Sequence, residues 1–342
     1  MMKTWLRLAI LVLFISLLAA CGGNTDEQES AENTEENTEG NTEQMEDTES
    51  TEAVTVRDAF GEKTFEETPL KVVALEWTYV EDLLALGVQP VGVADIEGYN
   101  SWVDIDAELD QDVVDVGTRQ EPNLEMIAEL EPDLIITAGF RHEAIQQELE
   151  FIAPTLFFDP YPTDETVSQY DEMEETFRTI AKVVQKEDEA ESVLEELDAK
   201  YEEAKEQIAA ADLKTNEFVL TQAFSANQAP TLRLFTPNAM ATQIFEKVGL
   251  ENVYDSGQFE MYGYSEVNVE ALPAVEDANF FYVVQDDDNV FENQLQSNSV
   301  WQNLNFVQND QLYPLGGDAW LFGGPLSAMT LVDRIVEVVE EE

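Results

Sequence analysis

Cysteine and histidine are almost absent from this chain of 342 residues, which contains one Cys, Cys21, and one His, His142. A single Cys excludes an intrachain disulfide and a cysteine-based zinc site, and a single His excludes a three-His metal site. Basic residues are also scarce, because 16 Lys+Arg stand against 73 Asp+Glu and give a formal net charge of −57. This charge excludes ordinary nucleic-acid binding, which needs a positively charged footprint on the phosphates.

Sequence motifs of common enzymes are missing as well. The chain contains no nucleophile elbow, no phosphate-binding loop and no Gly-x-Gly-x-x-Gly motif, and one His provides no His-centred acid–base set. Hydrophobic residues make up 44% of the chain, which is enough for one large or two medium domains. The sequence therefore favours a folded binding protein over an enzyme.

The apolar stretch near the N-terminus is too short to span a membrane. It covers residues 8–20, and at ~1.5 Å per residue it falls well short of a hydrocarbon core of ~30 Å. We interpret residues 1–20 as a signal peptide. Its end, Leu18-Ala19-Ala20-Cys21, resembles a bacterial lipobox, which implies cleavage before Cys21 and attachment of a lipid to its thiol.

An acidic segment, residues 21–53, follows this signal. Residues 22–53 carry twelve acids and no Lys or Arg, so we expect a disordered, self-repelling tether. Without the +2 of residues 1–20 and the −12 of the tether, residues 54–342 still carry −47. We expect a lipid-anchored protein on the extracytoplasmic face of the cell membrane, at the surface of a Gram-positive, halophilic or alkaliphilic bacterium.

Short apolar runs alternate with amphipathic stretches from residue 71 onward, as is typical of α/β folds with parallel sheets. Predicted strands cover residues 71–75, 91–94, 113–116, 134–137, 155–158, 217–221, 232–235, 280–284 and 311–314. Predicted helices cover residues 79–86, 123–130, 142–151, 187–211, 238–248 and 326–339. These elements predict an N-terminal α/β lobe (54–186), an interlobe helix (187–211) and a C-terminal α/β lobe (212–342).

Ligands of open α/β sheets bind beyond the carboxyl ends of the strands. Six side chains that follow predicted strands of the first lobe are candidates for such a site: Trp77, Tyr79, Trp102, Arg119, Phe140 and Arg141. Arg119 and Arg141 fit either a guanidinium clamp for an anionic ligand or structural ion pairs with nearby carboxylates.

Three residues of the second lobe, Arg233, Tyr262 and Trp320, are candidates for an opposite wall. Arg233 also fits an alternating strand on which it faces solvent. His142 fits a structural position better than a ligand position.

Five stretches of the chain carry the motifs of a known family: KVVALE (71–76), GTRQEPNLE (117–125), LEPDLI (130–135), NVEAL (268–272) and WLFGGPLSA (320–328). They resemble the iron–siderophore substrate-binding lipoproteins of ABC importers. The resemblance implies two Rossmann-like lobes joined by a single long rigid helix, the architecture of class III periplasmic binding proteins. It also implies a monomer that delivers a ferric siderophore to an importer permease.

The resemblance assigns roles to four residues. Glu125 and Glu270 match the acidic residues with which each lobe docks onto permease arginines. Arg119 lies in the Gly-x-Arg motif that contacts the siderophore, and Arg141 matches a second arginine of relatives that bind citrate-based siderophores. We therefore expect a citrate–hydroxamate or carboxylate siderophore that itself holds the iron, with no cofactor and no metal ligand from the protein. Haem or cobalamin is the alternative within this fold, and an extracytoplasmic enzyme is the alternative of another class.

Overall fold

The computed structural model describes residues 53–211 and 213–340. The predicted signal peptide, Cys21 and all but the last residue of the predicted tether lie outside these ranges. Within the two ranges, no helix has both the length and the apolar character that a membrane span requires.

The strands of the described residues form one hairpin and two sheets. In chain order they are β1 (Val54–Asp58), β2 (Gly61–Phe65), β3 (Val72–Ala74), β4 (Gly92–Val93), β5 (Val114–Asp115), β6 (Leu134–Ala138), β7 (Thr155–Phe158), β8 (Glu217–Ala226), β9 (Ala229–Phe235), β10 (Glu251–Asn252), β11 (Tyr264–Val267), β12 (Asn279–Val283) and β13 (Leu312–Pro314). The first sheet is parallel, with the order β5-β4-β3-β6-β7, and the second has the order β11-β9-β8-β12-β13 with β10 paired to β8.

Helices connect most of these strands. They are α1 (Trp77–Ala85), α2 (Ile96–Trp102), α3 (Leu124–Glu129), α4 (Gly139–His142), α5 (Gln146–Ile152), α6 (Gln169–Val183), α7 (Glu187–Ala210), α8 (Met240–Lys247), α9 (Ser299–Gln302), α10 (Asn305–Gln308) and α11 (Pro325–Glu340). A 3₁₀ helix covers Val269–Ala274.

The first sheet is covered on both faces, as its continuous apolar strands predict. Successive residues of β3 point to opposite faces, so that Val72 and Ala74 belong to one core and Val73 to another. The predicted α/β class is confirmed, and the second lobe repeats the layered arrangement around its own sheet.

Helix α7 confirms the predicted long helix and has 24 residues. Ala190 and Leu194 pack into the core of the first sheet, whereas Tyr201 and Ile208 pack into the core of the second. One helix is therefore built into both cores. The division of the chain at residues 186/187 and 211/212 stays a prediction.

The second sheet differs from the expected pattern at one edge, where β8, β9 and β11 pair antiparallel. Strands β8 and β9 are longer than predicted and are joined through Asn227 and Gln228, whose φ values are 52° and 66°. Two successive positive φ values fit a two-residue type I′ turn. Because this turn contains no Gly, the sequence gives little signal for a hairpin.

Candidate ligand-binding site

Three strands of the first sheet bring charged side chains to one edge. Strand β3 is followed by Glu76, β5 by the turn that carries Arg119, and β6 by α4 with Arg141. Parallel strands have their carboxyl ends at a common edge, so these side chains meet there.

The turn that carries Arg119 depends on Gly117, whose φ is +99°. A Cβ atom at this position would lie 3.1 Å from the backbone nitrogen of Asn123 and 3.2 Å from the carbonyl oxygen of Glu121. Gly117 pairs with Pro122 in an antiparallel bridge that closes the turn. Glycine is therefore the residue that this conformation favours.

A single carboxylate joins the two arginines. Glu76 Oε2 accepts a hydrogen bond from Arg119 Nη1 at 3.2 Å, and Glu76 Oε1 accepts one from Arg141 Nε. The Glu76 side chain is only 9% exposed. Burial raises the pKa of Glu76, and the two guanidinium groups oppose that rise. The structure thus contains the ion pairs that the sequence analysis left open as an alternative, and it places them at the wall of a cleft.

Two indole rings support Arg119. Its guanidinium carbon lies 3.5 Å from the ring centroid of Trp77 and 5.7 Å from that of Trp320. The two rings meet edge to face at 5.1 Å, and Trp77 Nε1 donates to the carbonyl oxygen of Ala94 at 3.2 Å. Trp77 is buried and packs against the guanidinium of Arg119, whereas Trp320 lines the cleft.

Arg233 belongs to the same cleft and reaches it from the second sheet. Its Nη1 donates to Gln222 Oε1 at 3.1 Å, and its Nε donates to Glu266 Oε1 at 3.3 Å. The guanidinium also lies 4.6 Å from the ring centroid of Tyr264 and 4.8 Å from that of Phe224. Of the two interpretations of this residue, the structure favours a position facing the cleft.

The cleft has a volume of about 150 Å³ and takes its walls from both lobes. It is lined by Glu76, Thr78, Arg119, Phe140, Arg141, Pro160, Tyr161, Arg233, Tyr264, Trp320 and Phe322. Three guanidinium groups thus meet in a chain whose overall charge is strongly negative. The carboxylates paired with them are Glu76 and Glu266.

Aromatic rings form a rim between the lobes. Phe140 and Tyr161 lie with ring centroids 5.3 Å apart, and Tyr161 lies 5.1 Å from Tyr262 of the second lobe. Phe140 is 42% exposed and Tyr262 41%, which is unusual for large aromatic side chains. These exposed faces are available to a ligand.

Tyr79 and Trp102 are not part of the cleft wall. The Tyr79 ring is buried against Phe158, with centroids 5.5 Å apart, and burial raises the pKa of its hydroxyl. Trp102 ends α2 and packs half-buried against the core of the first sheet. The predicted strand-end residues therefore divide into cleft residues and core residues.

The two predicted docking residues are exposed on different lobes. Glu125 lies in the first turn of α3, which Asn123 caps by accepting hydrogen bonds from the backbone N–H groups of Glu125 and Met126 at 3.1 and 3.2 Å. Glu270 lies in the first turn of the 3₁₀ helix Val269–Ala274.

His142 is buried at the end of α4, next to Arg141. Its Nδ1 is 2.5 Å from the Thr137 hydroxyl, and burial together with the charge of Arg141 lowers its pKa to about 4. Within residues 53–211 and 213–340, no group of three or more His, Cys, Asp or Glu side chains is arranged to hold a metal ion.

Glu76 is the charged cleft residue that is missing from the predicted site. The other lining residues outside the prediction are Thr78, Pro160, Tyr161, Tyr264 and Phe322. Glu76 directly follows the predicted strand 71–75, so the rule that selected Trp77 applies to it equally. Among 73 acidic residues, however, nothing in its type distinguishes it. Only the convergence of three strand ends identifies it as a partner of both arginines.

The two layered lobes, the helix that packs into both cores and the cleft between the lobes define a bilobal substrate-binding protein. The profile of the periplasmic binding protein family matches residues 72–319. The chain belongs to this family, which confirms the resemblance found in its sequence. It is a substrate-binding protein and not an enzyme.

Individual relatives agree with this assignment. The chain is 31% identical to the Fe(3+)-citrate-binding protein YfmC of Bacillus subtilis (strain 168), over 85% of this chain and 87% of the relative. It is 29% identical to the putative ABC transporter substrate-binding lipoprotein YhfQ of the same organism, over 94% and 92%. The crystal structure of the siderophore-binding protein FhuD from Vibrio cholerae with Fe3+–Desferal bound superposes with a TM-score of 0.69 at 28% identity, covering 79% of this chain and 97% of that one.

Proposed function

We propose that this protein captures a ferric siderophore in the cleft between its lobes and delivers it to the permease of an ABC importer. The observation that carries the proposal is the convergence of Arg119, Arg141 and Arg233 on one cleft with aromatic walls. Fixed guanidinium groups can hold an anionic ligand against the repulsion of a strongly negative protein. The ferric complex is the transported ligand and is not a cofactor of the protein.

The hydrogen-bond donors that remain free favour a ligand with carboxylate groups. Arg141 donates a hydrogen bond from Nε to Glu76. Among the described residues, neither of its terminal amino groups has a hydrogen-bond partner. Two parallel N–H groups of one guanidinium match the two oxygens of a carboxylate. We therefore favour a citrate–hydroxamate or other carboxylate siderophore.

The relatives support this proposal and also define its main competitor. Similarity to a Fe(3+)-citrate-binding protein favours a carboxylate ligand. Similarity to a structure with Fe3+–Desferal bound makes that complex a necessary alternative to test. Haem and cobalamin are further alternatives, because aromatic walls such as Phe140 and Tyr262 suit any large, flat or partly apolar ligand.

A tryptophan-quenching titration tests the proposal. Trp77 and Trp320 lie beside Arg119, so a ligand in the cleft should change their fluorescence. The chain from residue 21 onward with the substitution Cys21→Ser would be titrated with a ferric citrate–dihydroxamate, Fe3+–Desferal, a ferric catecholate, haem and cobalamin at high salt. Tightest binding of the citrate-based complex supports the proposal. Tightest binding of haem or cobalamin refutes the siderophore assignment, and tightest binding of Fe3+–Desferal or of the catecholate refutes the carboxylate class.

We further propose that Cys21 carries a lipid that anchors the mature protein, as a monomer, to the extracytoplasmic face of the cell membrane. The lipobox-like sequence before Cys21 and the similarity to a putative substrate-binding lipoprotein support this anchor. Residues 21–53 would act as the tether. Labelling with a radioactive fatty acid, which is expected in the wild type and absent in Cys21→Ser, tests the anchor.

Delivery to the permease would use Glu125 and Glu270. Both carboxylates are exposed and lie on different lobes, so one partner surface with two positive sites can engage both. In this proposal, residues 54–186 form the N-terminal lobe, residues 187–211 the interlobe helix and residues 212–342 the C-terminal lobe.

A further inference from the structure

Among the described residues that line the cleft, Glu76 is the only one with a carboxylate. It contacts both guanidinium groups of the first lobe through separate oxygens, Oε1 toward Arg141 and Oε2 toward Arg119. The three side chains together carry two positive charges and one negative charge. From this geometry we infer that Glu76 sets the charge of the ligand that the cleft accepts, by cancelling one positive charge where the ligand binds.

The burial of Glu76 makes its charge effective. Its side chain is 9% exposed, whereas Glu266, the carboxylate beside Arg233, is 54% exposed. Exposed charges are screened by water and salt, but a charge in a poorly hydrated site acts on its neighbours at much greater strength. Of these two carboxylates, Glu76 therefore repels a bound anion more strongly.

The contacts of Glu76 also limit the donors that a ligand can use. Arg141 Nε and one amino group of Arg119 are engaged by the Glu76 oxygens. The free amino groups of Arg141 can hold one ligand carboxylate, and a second carboxylate placed between the arginines would meet the negative charge of Glu76. Glu76 therefore biases the cleft toward a ferric complex of low negative charge, such as one with a single free carboxylate, and against one with several negative charges. This inference rests on the proposed function, because it concerns the class of siderophore.

Two ferric complexes of different charge separate this role from a purely structural one. Fe3+–Desferal has no free carboxylate, whereas ferric dicitrate carries several negative charges. The dissociation constants of both would be measured by tryptophan quenching for the wild type and for Glu76→Gln, Glu76→Asp and Glu121→Gln. Glu121 is an exposed acid in the same turn as Arg119 and does not line the cleft, so its variant is a control for the loss of one exposed charge.

The measured quantity is the ratio of the two affinities. We expect Glu76→Gln to change this ratio in favour of ferric dicitrate by about tenfold or more, the scale of one hydrogen bond to a charged group. Glu76→Asp, which keeps the charge, and Glu121→Gln should keep the wild-type ratio. In Glu76→Ala, added acetate can occupy the space of the missing carboxylate and should return the ratio toward the wild-type value. The acetate experiment tests the inference if Glu76→Gln does not fold.

If the ratio in Glu76→Gln equals that of the wild type, including the case of an equal loss of affinity for both complexes, the inference is overturned and Glu76 has a structural role. That result leaves the proposed function intact as long as the wild type binds ferric siderophores. A wild type that binds no ferric complex refutes the proposed function and the inference with it.

Discussion

Glu81 of α1 accepts two hydrogen bonds from Ser327 at the start of α11, one from its backbone N–H at 2.8 Å and one from its hydroxyl at 2.5 Å. Glu81 is fully buried, and it belongs to the lobe of the first sheet, whereas α11 packs in the core of the second. A carboxylate at a helix N-terminus satisfies N–H groups that have no partner within the helix. This contact therefore joins the two lobes.

Loss of the Ser327 hydroxyl should destabilise this contact in a pH-dependent manner. Burial raises the pKa of Glu81 to about 7, and the donors of Ser327 and its neighbours limit the rise. The stability that the protonated carboxyl provides is fully present below its ordinary pKa and is lost as the pH rises through about 7. The Ser327 hydroxyl lowers this pKa, so it stabilises the ionised carboxylate more than the protonated carboxyl. We therefore expect Ser327→Ala to lower the free energy of unfolding by ~1–3 kcal/mol at pH 8 and by less at pH 5.

Urea unfolding at both pH values measures this difference. Ser101→Ala is the control, because Ser101 is an exposed helical serine whose hydroxyl donates to the carbonyl oxygen of Glu97. An equal effect of Ser327→Ala at pH 5 and pH 8 would contradict the assigned role of Glu81.

Glu172 of α6 should weaken the fold in alkaline solution. Burial raises its pKa to about 8, and Asp159 and Glu175 add to the rise. Its contribution to stability is fully present below its ordinary pKa and is lost as the pH rises through about 8. Because Gln cannot ionise, Glu172→Gln should be more stable than the wild type by ~2–4 kcal/mol at pH 9 and similar to it at pH 5.

Thermal or urea unfolding of Glu172→Gln across this pH range tests the prediction. Glu206→Gln is the matched control, since Glu206 is exposed on α7 and its substitution removes the same charge. If both variants gained the same stability at pH 9, the gain would come from the reduced net charge of the protein and not from the burial of Glu172.

The sequence predicts most of the fold because buried parallel strands are continuous apolar runs. The predicted strand 155–158 coincides with β7, and the helix predicted at 187–211 is α7, Glu187–Ala210. The hairpin β1–β2 and helix α6 were not predicted. The segment that contains β1 and β2 is half polar. Helix α6 lies in an acidic, helix-favouring stretch for which the sequence pattern predicts only the helix 187–211.

The candidate site could be predicted only in part. Strand ends identify Arg119 and Arg141, but spacing along the chain does not reveal that Glu76 lies between them. It also does not separate Tyr79, whose ring points into the core, from Phe140, whose ring is half exposed. These differences depend on side-chain direction at the start of a helix, which the sequence pattern does not specify.

Removal of either clamp arginine should weaken ligand binding. We expect Arg119→Ala and Arg141→Ala each to reduce the affinity for the ferric citrate–dihydroxamate by ~1.5–3 kcal/mol, the range for hydrogen bonds to charged groups. Arg178→Ala is the control, because Arg178 is an exposed arginine of α6 that pairs with Glu174 and Glu191. Tryptophan quenching measures all three variants, and wild-type affinity in both cleft variants would refute the clamp.

The exposed carboxylates of Glu125 and Glu270 provide a test that separates delivery from capture. Neither residue lines the cleft, so the double variant Glu125→Ala/Glu270→Ala should bind the ferric complex with wild-type affinity. If the two carboxylates engage positive sites of a permease, the same variant should lose uptake of labelled iron in cells that carry the importer. Each single variant should show a smaller loss, because one charged contact remains.

The uptake assay needs a control for the removal of two charges from a strongly acidic surface. Glu206→Ala combined with Glu217→Ala provides it, since both residues are exposed and outside the cleft. Wild-type uptake in this control together with lost uptake in the Glu125→Ala/Glu270→Ala protein assigns docking to the two predicted residues. Normal uptake by the Glu125→Ala/Glu270→Ala protein would place the permease contact elsewhere, and impaired ligand binding would show that the substitutions disturb the cleft.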